Sequence, residues 1–421
     1  RSREMKTNLM RVLNELTFNP AKDSDIKREN ANIDGDTAMG TMLKYGSVSA
    51  KEFYEMYVLE ERHAKAHKNG DIHIHDLDFL TLTTTCCQID LLKLFHGGFS
   101  TGHGFLREPN DIASYSALAC IAIQSNQNDQ HGGQSVPNFD YSMAEGVRKT
   151  YSHRYVQNIA RALDLIANID NADETAKNIF NEIKEKYNII PNLANDSGYT
   201  EKEFEKLCEI TDTETAEKIQ KFAVKNAQKE TDRATYQAME ALIHNLNTMN
   251  SRAGAQTPFS SINYGTDTSP EGRMVIKNVL LAQEAGPGNG ETPIFPIHIF
   301  KIKEGINYNK DDINYDLFKL ACRVSAKRLF PNFSFLDAPY NLQYYKEGDY
   351  NTEVAYMGCR TRVIGNVYDP TREIVTGRGN LSFTSINLPR LAIKADHNVG
   401  AFFDMLDEMM DLTIEQLLHR F

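Results

Sequence analysis

Cys359 is the residue whose neighbours most favour chemistry in this chain of 421 residues. It lies between Gly358 and Arg360, within residues 356–362 (YMGCRTR). A glycine beside a reactive atom lets the backbone approach closely, and a neighbouring arginine favours a thiolate or holds an anion. The alternative is a half-buried structural cysteine, which is the more common outcome for a lone cysteine. The pattern therefore predicts a loop that presents a thiol.

Two histidines form a second candidate group, in residues 70–76 (GDIHIHD). If this segment is a strand, His73 and His75 share its polar face and the two isoleucines share the other. That polar face either lines a site or is simply solvated at a sheet edge. Two imidazoles at this spacing could bind a metal, but no further ligands follow nearby, so we predict no metal site in this chain.

Cysteine usage points to a reducing compartment. No CxxC pair occurs, so a zinc site is not indicated, and six cysteines in a chain of this length do not form a disulfide scaffold. Cys86 and Cys87 are adjacent within a run of apolar residues and threonines, residues 83–92. In a strand their side chains point to opposite faces, so at most one of them serves a given site. The six are Cys86, Cys87, Cys120, Cys208, Cys322 and Cys359.

Composition limits the broad class. Hydrophobic residues make up 41% of the chain and charged residues 24%, as in a soluble globular protein. The net charge of −11 argues against a broad basic surface for nucleic acid. We find neither a transmembrane run nor a signal peptide, and expect a cytoplasmic protein. Because the chain starts at Arg1 and stops inside an apparent amphipathic helix, we expect a piece of a longer protein.

Alternating strand and helix patterns predict an α/β architecture with a largely parallel sheet. Residues 1–69 are predicted to be helical, with Ser49 capping a helix through a capping box that Glu52 completes. Residues 168–232 are densely charged and poor in glycine, which predicts an inserted helical hairpin or small subdomain. Predicted helices elsewhere are residues 109–126, 139–167, 236–246, 274–285 and 315–330; predicted strands are 257–265 and 294–302; predicted loops are 95–105 and 132–138.

Six segments, in order, resemble the anaerobic, oxygen-sensitive (class III) ribonucleoside-triphosphate reductases, large catalytic subunit. One segment alone would be weak, but six in the same order make chance an unsatisfactory explanation. The resemblance covers essentially the whole chain outside residues 168–232. The segments are residues 27–32 (KRENAN), 70–78 (GDIHIHDLD), 247–259 (NTMNSRAGAQTPF), 292–299 (TPIFPIHI), 357–360 (MGCR) and 379–390 (GNLSFTSINLPR).

The resemblance implies the ten-stranded α/β barrel of ribonucleotide reductases and glycyl radical enzymes, surrounded by helices and incomplete in this chain. Residues 70–421 would form the partial barrel, with its first strand within residues 70–78. A finger loop near residues 354–366 would carry Cys359 to the centre. There a thiyl radical on Cys359 would take the hydrogen from the ribose 3′ carbon, so that a ribonucleoside triphosphate is reduced to its 2′-deoxy form. Such a radical needs a closed cavity, because water and oxygen must be excluded.

The same resemblance assigns further site residues. Cys86 matches the second active-site cysteine, which faces the thiyl position, while Cys87 would pack elsewhere. Asn380 matches an asparagine that could hold a ribose hydroxyl or a small carboxylate, and in relatives that carry it formate is the usual reductant. The residues expected to line the substrate site are His73 or His75, Met357 and Gly358.

Other implied parts lie outside this chain. The glycyl radical loop, the four-cysteine zinc site, the substrate-phosphate loop and the ATP-binding cone are not recognised in it. The resemblance also implies ATP and deoxynucleotide effectors, a radical SAM iron–sulfur activating enzyme and a homodimer. Two other classes stay open: a truncated barrel serving as a nucleotide-binding and dimerisation module, and a sister glycyl radical lyase acting on a small carboxylate.

Overall fold

A computed structural model describes residues 37–250, 256–358, 361–363 and 375–420, with residues 9–11, 13, 14, 18, 366, 369 and 371. Cys359 lies outside the described residues. The strands are β1 (Ile72–Ile74), β2 (Thr85–Gln88), β3 (Phe99–Ser100), β4 (Phe105–Leu106), β5 (His131–Val136), β6 (Ser260–Tyr264), β7 (Ile297–Ile302), β8 (Asn332–Phe335), β9 (Ala355–Met357), β10 (Thr361–Val363), β11 (Gly379–Asn380) and β12 (Thr384–Ile386). The helices are α1 (Ala38–Phe53), α2 (Glu61–Lys68), α3 (Leu91–Phe95), α4 (Ile112–Asp129), α5 (Phe139–Ala167), α6 (Ala172–Tyr187), α7 (Tyr199–Ile210), α8 (Thr213–Thr248), α9 (Pro270–Ala285), α10 (Tyr315–Arg328), α11 (Pro339–Leu342), α12 (Leu388–Ala395) and α13 (Val399–Arg420).

The central sheet has six strands in the order β11-β2-β5-β6-β7-β8. From β2 to β8 all neighbours are parallel, and β11 runs antiparallel to β2. Helices connect the parallel strands, as a parallel sheet requires. The predicted α/β architecture with a largely parallel sheet is confirmed, whereas closure into ten strands is not formed by the described strands and stays a prediction.

The main core fills the space between this sheet and the helices α4, α5, α8 and α9. Its side chains are almost fully buried, which is the expected result for apolar strands covered by helices. Representative members are Phe139, Met143, Leu242, Ile262, Val279 and Phe300. No helix among the described residues is both long enough and apolar enough to cross a membrane.

The prediction that Ser49 caps the start of a helix is wrong. Helix α1 begins after Thr37, whose hydroxyl accepts from the Gly40 N–H at 3.0 Å, and it continues through Ser49. Instead of capping a helix, the Ser49 hydroxyl donates to the Tyr45 carbonyl at 2.7 Å. Because Thr37 already provides the N-cap and no proline interrupts the segment, one continuous helix forms. The described residues between 37 and 69 are otherwise mostly helical, with a break at Leu59 and Glu60.

The glycine-rich segment predicted as a loop, residues 132–138, forms most of strand β5 at the centre of the sheet. A methyl group added at Gly133 would lie 2.7 Å from Gly358 Cα. Glycine is therefore present because another backbone approaches closely, and not because the chain turns here. Composition alone cannot separate these two uses of glycine.

Strand β1 does not join the central sheet, contrary to its predicted place as the first barrel strand. It pairs with β12 as a separate two-stranded antiparallel sheet. The predicted alternation is confirmed, since Ile72 and Ile74 are buried and His73 between them is exposed. The apolar face of β1 packs with α2 and the end of α13 rather than with the central core.

The charged segment 168–232 contains α6, α7 and the first half of α8, with an apolar cluster of its own. Within that cluster Glu203 is fully buried and accepts hydrogen bonds from Tyr155 Oη at 2.6 Å and Gln220 Nε2 at 3.0 Å. Burial raises the pKa of Glu203 to about 7. The hydrogen bonds from Tyr155, Gln220 and Tyr199 act to lower this pKa, but burial outweighs them. Helix α8 continues unbroken past residue 232 to Thr248, so the insertion and the predicted helix 236–246 share one helix.

Candidate functional site

Cys86 lies at an irregularity in strand β2. Its backbone φ is +54°, and the register with β5 shifts between Thr85 and Cys87. Bulges of this kind redirect a side chain, and a left-handed conformation at a non-glycine residue is unusual enough to suggest a functional constraint. The Sγ atom of Cys86 accepts a hydrogen bond from the Gly133 N–H at 3.2 Å.

The tip of the β9–β10 hairpin lies against the same point of the sheet. A methyl group placed on Gly133 would be 2.7 Å from Gly358 Cα and 3.6 Å from Cys86 Sγ. Gly358 itself has a φ of +56°, which glycine adopts without strain. The residue that precedes Cys359 is therefore seated beside the Cys86 thiol.

Two buried polar side chains hold the β9 strand of this hairpin. Asn263 on β6 accepts from the Tyr356 N–H at 2.9 Å and donates to the Tyr356 carbonyl at 3.0 Å. Ser135 on β5 donates to that carbonyl at 2.7 Å. In an antiparallel pair every second residue directs its peptide groups away from its partner. Asn263 therefore satisfies peptide groups that would otherwise be buried without partners.

A buried ion pair holds the base of the hairpin. Lys301 Nζ on β7 lies 3.0 Å from Glu353 Oε2, and the two side chains are 1% and 3% exposed. The Thr266 hydroxyl donates to the same carboxylate oxygen at 2.8 Å. Burial raises the pKa of Glu353, although Lys301 opposes this. Removing one partner of such a pair leaves the other charge buried and unpaired, which is strongly destabilising. The ion pair therefore anchors the base of the hairpin to strand β7.

Asn380 lies on β11, the strand next to Cys86. Its Cα is opposite that of Thr85, and Gly379 is opposite Cys87. A methyl group on Gly379 would lie 3.0 Å from the Cys86 carbonyl oxygen, which shows how closely the two strands approach. Asn380 is half-buried. Two of the predicted catalytic residues, 294 positions apart in sequence, are thus brought onto neighbouring strands.

Met357 contributes an apolar wall. It is 2% exposed and belongs to a small cluster with Ala355, Val363 and Val375, against which Cys86 packs. This apolar cluster shields one side of the Cys86 thiol from water.

Cys87 lies in different surroundings from Cys86. It is buried, its thiol donates to Gln134 Oε1 at 3.1 Å, and the Asn126 amide donates to its sulfur at 3.0 Å. Burial raises the pKa of the Cys87 thiol to about 12. It is therefore an inert packing residue, as predicted from the alternation of side chains along a strand.

The structure places His73 and His75 against β12 and not on the central sheet. The ring of His75 lies 4.2 Å from that of Phe383, and its Nε2 is 2.7 Å from Ser385 Oγ. Burial lowers the pKa of His75. His73 is exposed and its ring stands edge-on to that of His75 at 4.5 Å. Of the two, His75 has the more enclosed position.

Sequence reasoning missed a polar group beside Cys86. The Asp76 carboxylate lies 3.0 Å from His131 Nε2 and accepts from the Thr85 hydroxyl at 3.1 Å. The Thr85 oxygen is in turn 3.9 Å from Cys86 Sγ. Asp76 is the last residue of the GDIHIHD segment, so the sequence did offer it as a candidate. His131 was not a candidate, because it directly precedes the two glycines of a segment that was predicted to be a loop.

A cavity of about 810 Å³ adjoins this region. Thr83 and Thr84, which lead into β2, line it together with Leu381 and Ser382, which follow Asn380. Arg420 closes one side and donates to Ser382 Oγ at 2.8 Å. The volume falls in the range of small-molecule sites, and the cavity lies next to the strand ends that carry Cys86 and Asn380.

Solved anaerobic ribonucleotide reductases have a fold similar to that of this chain. The Thermotoga maritima enzyme in complex with dATP and CTP aligns with a TM-score of 0.54 at 13% identity, covering 99% of this chain and 61% of that one. The same enzyme with glycerol in the active site gives 0.54 at 12% identity, over 99% and 60%. The fold is therefore of the anaerobic ribonucleotide reductase class.

The family model described as anaerobic ribonucleoside-triphosphate reductase matches residues 29–421, and the chain belongs to this family. The anaerobic ribonucleoside-triphosphate reductase of Enterobacteria phage T4 is 29% identical over 412 residues, covering 94% of this chain and 56% of the phage protein. That of Escherichia coli K12 is 27% identical over 402 residues, covering 94% and 47%. The chain spans about half the length of these relatives.

Proposed function

We propose that the protein containing this chain reduces ribonucleoside triphosphates to 2′-deoxyribonucleoside triphosphates under anaerobic conditions, through a thiyl radical on Cys359. The observation that carries the proposal is the position of Gly358, seated against Gly133 beside Cys86 Sγ. A residue that directly follows Gly358 is within reach of the same pocket, because consecutive Cα atoms are about 3.8 Å apart. Membership of the reductase family supplies the class of reaction.

The proposed roles follow from the surroundings of each residue. A thiyl radical on Cys359 takes the 3′ hydrogen of the ribose and returns it after the 2′ hydroxyl has left as water. Asn380 holds a ribose hydroxyl or formate through its amide, and Met357 excludes water. Of the two histidines, the more enclosed His75 contributes a polar edge. With formate as reductant the overall step balances: the ribonucleotide, formate and one proton give the deoxynucleotide, carbon dioxide and water.

A glycyl radical elsewhere in the complete protein supplies the unpaired electron in this proposal. The described residues contain no group of three or more His, Cys, Asp or Glu side chains placed to hold a metal ion. In this proposal the zinc belongs to another part of the protein, as the family resemblance implies, and none of the steps above depends on it.

We further propose that the complete protein closes the sheet into a ten-stranded barrel, in which residues 354–366 form the finger loop. Strand β11 supports this, because it runs antiparallel to β2 and so begins a second half of opposite direction. Both β8 and β11 end the described sheet, and open edges of this kind require pairing or cover. In this proposal residues 168–232, whose helices have a separate apolar cluster, are an insertion beside the barrel.

Nucleotide effectors, a homodimer and a radical SAM activating enzyme complete the proposal. A related Thermotoga maritima structure is described as having dATP bound in the specificity site, which supports allosteric control by deoxynucleotides. Both the activating enzyme and the dimer rest on the family resemblance.

The test is Cys359→Ala in the complete protein, assayed anaerobically with formate for deoxynucleotide formation. We expect no detectable product, with nucleotide binding retained, because the variant loses only the atom that carries the radical. Cys322→Ala, which removes an exposed thiol on α10, is the matched control and should keep full activity. Product formation by the Cys359 variant would overturn the proposal.

A further inference from the structure

The Asp76 carboxylate connects a histidine to the hydroxyl that faces Cys86. One carboxylate oxygen is 3.0 Å from His131 Nε2, and the other accepts from Thr85 Oγ1 at 3.1 Å. Thr85 is 3% exposed, and its oxygen is 3.9 Å from Cys86 Sγ. None of these three residues, Asp76, His131 and Thr85, has a part in the function proposed above.

Counting hydrogens sets the direction of this chain of contacts. A hydroxyl has one hydrogen, and an ionised carboxylate can only accept. The hydrogen of Thr85 is therefore committed to Asp76. A hydrogen bond between Thr85 and Cys86 then has the sulfur as its donor, with the thiol hydrogen directed at the Thr85 oxygen. On its other side the sulfur accepts from the Gly133 N–H at 3.2 Å.

The carboxylate is held in its ionised form. Burial acts to raise the pKa of Asp76, but the hydrogen bond and charge of His131 and the hydrogen bond of Thr85 outweigh it, so the pKa lies below its ordinary value. His75, on the same segment, and Arg420, on α13, are the other charged or titratable groups that act on Asp76. The ring of Phe79 stacks on His131 at 4.1 Å and fixes its orientation.

We infer that Asp76, acting through Thr85, is a positioning residue that keeps Cys86 as a neutral thiol and sets the direction of its S–H bond. His131 holds the carboxylate in place. This deepens the proposed function, because a thiol carries a hydrogen that it can give to a substrate atom, whereas a thiolate does not. The negative charge of Asp76 near the sulfur acts in the same sense, since it disfavours a thiolate.

The test compares the alkylation rate of Cys86 by iodoacetamide in the full-length protein and its Asp76→Asn variant, near neutral pH. The asparagine removes the charge and can donate to Thr85, which frees the Thr85 hydrogen to stabilise a thiolate. The Cys86 pKa should fall. Labelling should speed up about threefold for each unit of that fall, because a tenfold gain in thiolate is partly offset by lower nucleophilicity.

Controls separate this effect from general loosening. Asp78→Asn changes a neighbouring aspartate that accepts from Ser47 at 2.7 Å, and should leave Cys86 labelling unchanged. Cys322, exposed on α10, is measured in the same digest and should react equally in all variants. Alkylation of Cys86 requires no turnover. If the wild-type protein formed no deoxynucleotide, that would count against the proposed function, but the comparison of labelling rates would remain valid.

A second measurement covers the case in which the reagent does not reach Cys86. The S–H stretching band of Cys86, isolated as the difference between the wild type and Cys86→Ala, reports the hydrogen bond directly. Thr85→Val should shift the band to that of a less strongly bonded thiol. Thr84→Val, whose hydroxyl accepts from Gln130 at 2.7 Å, should not. Unchanged labelling in Asp76→Asn, or an unchanged band in Thr85→Val, would overturn the inference.

Discussion

Replacing Asn263 with alanine tests whether the seat of the hairpin is built by side chains of the sheet. The amide of Asn263 is fully buried and makes hydrogen bonds to both peptide groups of Tyr356, and it also donates to the Val136 carbonyl at 3.2 Å. Alanine removes all of these. The Tyr356 carbonyl keeps Ser135 as a donor, but the Tyr356 N–H loses the acceptor that Asn263 provides.

The magnitude follows from these contacts. A buried N–H without a partner costs about 1 to 3 kcal/mol, and the other lost hydrogen bonds contribute about 1 kcal/mol net. We therefore expect a total loss of about 2 to 4 kcal/mol. If all of it falls on the seating of the hairpin, the ratio of seated to unseated protein drops by about 30- to 700-fold, since about 1.4 kcal/mol corresponds to a factor of ten.

The assay is anaerobic deoxynucleotide formation by the complete protein, with denaturant unfolding measured alongside. We expect kcat to fall, because in the proposed function this hairpin carries the radical. Asn128→Ala is the matched control: Asn128 is exposed, donates only within its own helix at 3.2 Å, and should change stability by less than about 0.5 kcal/mol. A kcat within about twofold of wild type in Asn263→Ala would refute this reasoning.

Two further predictions concern close packing and a buried acid. Gly133→Ala should reduce activity at least about tenfold and destabilise the fold by about 1 to 3 kcal/mol, because its methyl group would lie 2.7 Å from the hairpin backbone. In the control Gly288→Ala the added methyl group has no atom within 4 Å, so activity and stability should not change. Equal behaviour of the two variants in activity and unfolding assays would contradict this prediction. In the folded protein the pKa of Glu203 is raised to about 7 from an ordinary 4.5. As the pH rises from 4.5 to 7, Glu203 therefore ionises in the unfolded chain before it ionises in the folded protein. The free energy of unfolding should fall over this range by at most about 1.4 kcal/mol per pH unit. Thermal unfolding midpoints at several pH values should show this slope in the wild type and in the exposed control Glu201→Gln, and should show it reduced in Glu203→Gln; an equal slope in all three would refute the assignment.

Several elements could be predicted because their determinants are local. Helix α5 runs from Phe139 to Ala167, as its apolar periodicity predicted. The alternation in residues 70–76 predicted correctly which side chains of β1 are buried. Six segments in order, among them MGCR around Cys359, indicated the family, which the match over residues 29–421 confirms.

Other predictions failed where glycine or serine has more than one use. Residues 132–138 have the composition of a loop, yet they form a central strand, because Gly133 makes room for Gly358. Ser49 has the sequence context of an N-cap, yet it lies inside a helix that begins earlier. In both cases the deciding residue lies elsewhere in the chain: Gly358 for the glycine segment, and Thr37 for the helix that contains Ser49.

The sequence by itself determined the α/β class, the helices with strong periodicity and the short set of residues able to support thiol chemistry. Only the tertiary structure decided that β1 pairs with β12 and that Asp76 reaches His131 and Thr85. The physical reason is that these arrangements depend on satisfying buried peptide groups and carboxylates with partners far away in sequence. Asn263 and Tyr356, 93 positions apart, meet only because the sheet places them together.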